Sequence, residues 1–576
     1  MTTPSDAPGT SETPLWFGPE GRPLFGWLTS PTGGLARGGV VCAPPIGREA
    51  RAARRAMRSL TTSLAAQGFV TLRFDYDGTG DSGGGFDDIG RDRLWVDSVA
   101  EATGYLRSLG LESVSAVGMR LGATLIGAAA NSHQLNFSSV VLWDPCESGQ
   151  SYLRELHALE AIRRADFRIV PGGTIETSEF VFSPQATEEI RRLSLSKSTV
   201  VPFAGRTLVM ARSDRAASAR LRTHLTGKTV NWQTTNQQSA LLDADPSWAA
   251  LPYQTMDRIV RWFCAPVPTF APFEVMQSSK EAVVVPSEDS RAITERIVEF
   301  GSGRLFGIVT APVGAVRGPL VVMFNVANEE HTGPSRLWVE LARRWAGFGL
   351  RSVRFDLGGL GDSPRLPGQS DHPFFMDSWL DDIIIVTQEL SPEDPANALF
   401  IGLCSGAYWA IEAALKLRVR GVCALNPPVY VDFLHSVRVL ESSRQPVFRR
   451  IGERLKILVK HPWIAAVTWH LLRPFLPSDW TTDLLEKLDK DDIDVLLLYS
   501  VEELWPFRET PFFRTIDVRR LSETSRRRIE FVPGLDHGMH VADGRTRAVN
   551  LLDRYVLEYV GGPTRDPESG SNSNGL

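Results

Sequence analysis

The residue best placed to do chemistry is a cysteine between two glycines. Gly402-Leu403-Cys404-Ser405-Gly406 follows the apolar run Ala398-Leu399-Phe400-Ile401 and leads into Ala407-Tyr408-Trp409. This reads as a short buried strand, a sharp turn and a helix. In a nucleophile elbow small residues flank the reactive one, because the backbone there is strained and the following helix packs close. Only the middle position projects into a site, so the spacing selects Cys404 rather than Ser405. A thiolate there attacks an acyl carbonyl and gives a thioester. The plain competing reading is a small cysteine packed in a tight turn; a strand-turn-helix with both glycines in place weighs against it.

The elements around that turn belong to a long chain. At 576 residues it exceeds one hydrophobic core, so two or more domains are expected. With 43% hydrophobic and 22% charged residues, it has the composition of a globular protein. A net charge of -5 gives no reason to expect nucleic acid as a partner. Five cysteines (Cys42, Cys146, Cys264, Cys404, Cys423) show neither CxxC nor metal-ligand spacing. No metal or cofactor is expected, and an odd cysteine count without a framework suits a reducing compartment. The first residues lack the basic and apolar regions of a secretory signal, and no apolar run approaches bilayer-spanning length. These points predict a cytoplasmic protein with no membrane span.

The chain uses one plan twice. Leu24-Phe25-Gly26 recurs as Leu305-Phe306-Gly307, and LRFDYDGTGDS from Leu72 recurs as VRFDLGGLGDS from Val353. Both repeats sit 281 positions apart, and Gly118-Met119-Arg120-Leu121-Gly122 aligns with the elbow at Gly402 with an offset of 284. A period this long means two copies of a domain, not a solenoid. In each copy short β-rich runs alternate with helical stretches, which predicts an α/β class with mostly parallel sheets covered on both faces. The GxGDS turns lack the Lys-Ser/Thr of a phosphate loop and read as tight turns at a strand end. The expected organisation is a disordered tail over 1–14, one domain over 15–268, a linker over 269–292, a second domain over 293–562 and a disordered tail over 563–576.

With the elbow, the RFDxxGxGDS turns and GLDHGMH near the end, the chain resembles the α/β-hydrolase superfamily, and more narrowly the serine-aminopeptidase-like and exosortase-associated hydrolases. The resemblance runs from about Trp16 to Val560. It implies two tandem α/β-hydrolase domains, each with a helical cap insertion, and a chain order of nucleophile, acid, histidine. The acid then falls a few residues after the strand Asp494–Ser500, where Glu503 matches best and Glu502 is its neighbour. The histidine is His537 of Gly534-Leu535-Asp536-His537, with His540 close enough to be confused with it. His331, His372, His435, His461 and His470 have no such context and read as surface or packing residues. An oxyanion would take the backbone N–H of Ser405 and a second donor near Val326. Glu329, Glu330 and His331 sit in the same loop, and a solvated loop is the favoured reading for them.

The first copy carries Arg120 at the nucleophile position. A guanidinium cannot attack a carbonyl, and Ser247 stands where the histidine would be. Asp214 occupies the acid position, and a structural Arg120–Asp214 salt bridge is expected. In the second copy the insertion from about Val431 to Leu488 carries Arg438, Arg444, Arg449, Arg450, Arg454, Lys456 and Lys460. Such charge suits an acidic carrier protein or a phosphopantetheine group, although a solvated helix face explains it equally well. The favoured function is an acyltransferase or thioesterase of the kind found in specialised metabolism. It would use a Cys404–His537–Glu503 triad and an acyl (thio)ester that is free or carrier-bound. A simple esterase or amidase and a non-catalytic duplicated scaffold are the alternatives.

Overall fold

The computed structural model describes residues 9–163, 175–427, 487–501 and 526–560, apart from short stretches within the first two ranges. The basic insertion from Val431, Glu502, Glu503, His372, His435, His461, His470, Ser247 and the tail over 563–576 lie outside the described residues. The chain forms two compact units. The first comprises Met1–Arg317, Asn328–Phe374 and His540–Ala542; the second comprises Gly318–Ala327, Phe375–Met539 and Asp543–Leu576.

In the first unit the first copy builds an eight-stranded sheet. Its strands are β1 (Thr10–Phe17), β2 (Leu24–Pro31), β3 (Gly38–Ala43), β4 (Phe69–Phe74), β5 (Val114–Met119), β6 (Phe137–Trp143), β7 (Ala204–Arg212) and β8 (Val230–Thr235). They lie in the order β1-β2-β4-β3-β5-β6-β7-β8. The β1–β2 and β2–β4 pairs are antiparallel and the others parallel. Along β3 the side chains alternate between two cores: Val40 and Cys42 join one, Val41 and Ala43 the other. Helix α1 (Arg48–Ala65) covers the first with Ala53, Met57, Leu60 and Leu64, and α2 (Arg91–Ser108) covers the second with Val99, Ala102 and Leu106. Each such valine or leucine contributes roughly 1.5–3 kcal/mol by leaving water, so a sheet apolar on both faces requires helices on both sides.

Strand β1 begins at Thr10, inside the segment expected to be a disordered tail. Its polar composition misleads because Glu12 is held by Arg58 and Arg73, while Thr13 pairs with Leu28 in register. The stretch expected as a linker also contributes strands. Ala271–Pro272 pairs with Leu35–Ala36, and β9 (Glu281–Val284) pairs with β10 (Ile293–Phe300).

The second copy repeats the plan. In the first unit β9, β10, β11 (Leu305–Pro312) and β13 (Ser352–Phe355) lie side by side, all antiparallel. The β10–β11 register, Phe300 to Leu305, mirrors that of β1–β2, Phe17 to Leu24. In the second unit β12 (Leu320–Met323), β14 (Ala398–Leu403), β15 (Gly421–Leu425), β16 (Asp494–Ser500) and β17 (Arg527–Val532) form a wholly parallel run in that order. The fold is therefore α/β with parallel-rich sheets and flanking helices. Among the described residues no helix is long and apolar enough to cross a membrane.

The two RFDxxGxGDS segments are tight turns, as the sequence predicts, and they also exchange charges within the first unit. In each, the aspartate of RFD accepts the N–H of the aspartate of GDS: Asp81 to Asp75 at 3.0 Å, Asp362 to Asp356 at 2.9 Å. A Cβ on Gly80 or Gly361 would overlap those carboxylates, and both glycines have positive φ, 47° and 49°. Arg73 of one turn reaches Asp362 of the other at 2.9 Å, while Arg354 reaches back to Asp81. His331 corrects the solvated-loop expectation. It is fully buried, with Nδ1 on Asp356 at 2.7 Å and Nε2 on Asp81 at 2.8 Å. Glu329 and Glu330 are half-buried and paired with Arg51 and Arg54.

Candidate active site

Strand β14 ends at Leu403, and Cys404 follows, its φ of 53° and ψ of -121° forming the sharp turn into helix α3 (Ser405–Leu417). Such a conformation costs a non-glycine residue on the order of 1–3 kcal/mol and persists only where the surroundings impose it. Here they do. A Cβ on Gly402 would lie 2.1 Å from the Gly406 carbonyl oxygen, and one on Gly406 would lie 2.6 Å from that of Asn325. The Cys404 N–H is fixed to Leu425 O at 3.0 Å. Cys404 is half-buried, whereas Cys42, Cys146 and Cys423 are enclosed and burial pushes their thiols up.

Ser405 is tied to a neighbouring loop. Its Oγ accepts the N–H of Ala327 at 2.7 Å, tying the loop after β12 to the start of α3. That loop carries Val326, which is buried, and Phe324 N–H donates to Ile401 O at 3.2 Å just before the elbow. The structure thus brings the Val326 segment and the elbow together. In the first turn of α3, the N–H groups of Ala407 and Tyr408 donate to Cys404 O at 3.0 and 3.4 Å.

His537 lies in the same unit, half-buried, beyond the Pro533-Gly534 turn that follows β17. Helix α4 (Ala542–Leu557) packs closely there: a Cβ on Gly544 would lie 2.2 Å from the Gly534 carbonyl oxygen. His540 falls within the first unit. One residue that sequence reasoning missed joins these segments. Asn426, directly after β15, donates from Nδ2 to the carbonyl oxygens of Asp536 at 3.3 Å and His537 at 3.1 Å, and its Oδ1 accepts the Ser500 N–H at 2.7 Å. Ser500 ends the strand that leads to Glu502 and Glu503.

No family model matches this chain, and no curated protein matches it. Among solved structures it is similar to an esterase from Pyrococcus furiosus, at 14% identity and a TM-score of 0.34, over 46% of this chain and 94% of that one. It is also similar to Est1E from Butyrivibrio proteoclasticus, at 12% identity and a TM-score of 0.32, over 44% of this chain and 98% of that one. A third is an α/β serine hydrolase without lid from Xanthomonas campestris, at 15% identity and a TM-score of 0.28, over 50% of this chain and all of that one.

The first copy keeps the turn and has Arg120 in place of Cys404. Arg120 has φ 55° and ψ -122°, nearly the values of Cys404, and its N–H bonds Trp143 O at 3.0 Å as that of Cys404 bonds Leu425 O. Its guanidinium does not meet Asp214, contrary to expectation. It is buried against Glu49 at 2.8 Å, Asp144 at 3.6 Å and Glu155. Asp214 is exposed and pairs with Arg212 two residues away, whose hydrogen bonds lower its pKa to about 2. Burial pushes the Glu49 and Asp144 carboxyls up, and Arg120 opposes this. Arg120→Ala would leave those carboxylates without their shared cation. Truncating one partner of a buried ion pair costs about 3–5 kcal/mol, so the first unit is expected to unfold at markedly lower urea in this variant.

Two other features of the first unit belong to its ion pairs. A cleft of about 470 Å³ is lined in part by Arg51, Arg54 and Arg58, but Glu329, Glu330 and Glu12 pair with these three. His331, Asp356 and Asp362 lie close enough to hold a cation. Both His331 nitrogens already face carboxylates, and Asp362 is engaged by Arg54, Arg73 and the Trp27 indole N–H.

Proposed function

We propose that the second unit is an acyl-transfer enzyme with Cys404 as nucleophile. The observation that carries this reading is the strained turn at Cys404, held by two glycines that admit no side chain, beside a serine whose hydroxyl oxygen accepts the Ala327 N–H. His537 takes the thiol proton, and the thiolate adds to the carbonyl of an acyl thioester. The N–H groups of Ser405 and Val326 receive the oxyanion. Collapse of the adduct expels the donor thiol, which recovers the proton from the imidazolium, and leaves the acyl group on Cys404. An amine, thiol, alcohol or water then takes the acyl group. Glu503 is assigned to orient His537. The donor is proposed to be free or carried on an acidic carrier protein that the basic insertion would meet.

Intact-mass measurement after mixing with an activated acyl thioester tests this. The adduct mass is expected on the wild-type protein and on Ser405→Ala, and is expected to vanish in Cys404→Ala. Ser405→Ala loses one hydrogen bond, about 0.5–1.5 kcal/mol of local stability, so its adduct forms more slowly. An adduct that survives Cys404→Ala, or no adduct with any acyl donor, would refute the assignment.

A further inference from the structure

We infer that Asn426 is the positioning residue of this site, holding the His537 loop in register with the elbow and with the strand that leads to the acid. The inference rests on the reading of Cys404 and His537 as nucleophile and base. Asn426 is 2% exposed and sits at φ 38°, a region that asparagine tolerates better than most residues. Its three side-chain bonds fix the orientation of its amide. Ser500 offers an N–H and so must meet oxygen, while Asp536 and His537 offer carbonyl oxygens and so must meet the NH2 group. A carboxamide supplies acceptor and donors on one short stem; an ionised carboxylate supplies only acceptors.

The backbone on either side completes the junction. Leu425, the preceding residue, accepts the Cys404 N–H at 3.0 Å, and the Asn426 N–H bonds Leu498 O on β16 at 2.7 Å. Two consecutive residues therefore touch the elbow, β16 and the histidine loop. Reacting groups must be held within a fraction of an ångström, and a displacement of 1 Å costs about 100-fold in rate.

The duplication supplies an internal comparison. Asp144 occupies the same place in the first copy, after β6 and before a proline, with φ 47° and its N–H on Met210 O at 2.8 Å. The backbone is retained and the amide is not. Asp144 faces Arg120 in the copy that has lost its nucleophile.

The test is the pH profile of Cys404 alkylation by iodoacetamide in the full-length protein, read by peptide mass spectrometry and compared among wild type, His537→Ala, Asn426→Ala and Asn426→Asp. A thiol paired with an imidazole stays reactive well below the range of a free thiol. At pH 6 the wild type is expected to react at least tenfold faster than His537→Ala. Both Asn426 variants are expected to lose at least fivefold of that advantage while far-UV circular dichroism stays native. A purely structural role would lower the melting temperature and leave the profile of the folded protein unchanged. If Asn426→Ala does not fold, the isosteric Asn426→Asp carries the comparison, because its carboxylate repels the two carbonyls it must replace a donor for. Asn426 variants that follow the wild type, with His537→Ala still slow, would overturn the positioning role alone. Identical profiles for wild type and His537→Ala would overturn it together with the catalytic reading.

Discussion

Turnover of an activated acyl thioester is expected to fall by about 10⁴-fold or more in Cys404→Ala, and by about 10³-fold or more in His537→Ala, with the double variant no worse than Cys404→Ala. The sizes follow from triads in which nucleophile and base act as one unit, so that removing the first leaves the second nothing to activate. Residual rate over water would come from oxyanion donors and binding alone, and these survive both substitutions. The elbow itself should tolerate alanine at 404, because its strain is set by Gly402, Gly406 and the Cys404 N–H bond to Leu425, none of which involves the thiol. Initial rates at saturating donor decide the matter. Additive losses in the double variant would mean that the two side chains work at separate places, and unchanged turnover in Cys404→Ala would remove the cysteine from the chemistry.

The same local logic explains what could be read from the chain beforehand. Glycines on both sides of Cys404 and of Arg120 foretold two elbows, because a Cβ at any of those four positions meets another atom at 2.6 Å or less. The apolar runs foretold β14 and β16, since strands buried on both faces are continuous in hydrophobicity. Contacts between segments distant in sequence were hidden. Arg73 and Asp362 are 289 residues apart, and each looked like an ordinary member of a turn motif. Arg120 was assigned to Asp214 because the resemblance puts Asp214 at an acid position, whereas Asp214 pairs with Arg212 two residues away and Arg120 faces Glu49. Asn426 did leave a signal. Asp144-Pro145 and Asn426-Pro427 lie 282 positions apart, within the drift of the repeat, and an Asp-to-Asn change at a shared strand end could have been singled out. Thr10–Pro14 looked like a polar tail because composition does not reveal that Arg58 and Arg73 will meet Glu12.

Arg354→Met is expected to destabilise the first unit by about 3–5 kcal/mol, because it removes the buried cation shared by Asp81 and Glu295 and leaves them His331 and Arg343 as their charged partners. The double variant Arg354→Met, Asp81→Asn should lose less than the sum of the single losses, since the carboxylate that has lost its arginine is removed as well. His331 adds a pH dependence to the same cluster. Burial pulls its pKa down, but Asp81 and Asp356 outweigh that and raise it to about 10, against about 6.5 in an unfolded chain. A folded-state value above the unfolded one stabilises fully below about pH 6.5, and the contribution is lost as pH rises toward 10. Asp81 and Asp362 act at the other end. Despite burial, their cationic neighbours hold both carboxyls far below the ordinary range, so their contribution is present above about pH 4 and lost in acid. Asp75 runs the opposite way: burial, reinforced by Asp81, lifts it to about 6, which makes the fold gain stability as pH falls from 6 toward 4. The histidine is therefore best isolated above pH 6. Urea unfolding of wild type and His331→Gln should show a stability difference that is largest near pH 6 and shrinks steadily to pH 10. A difference that stays constant across that range would mean that His331 is neutral between its two aspartates, and that arginines alone hold the paired turns together.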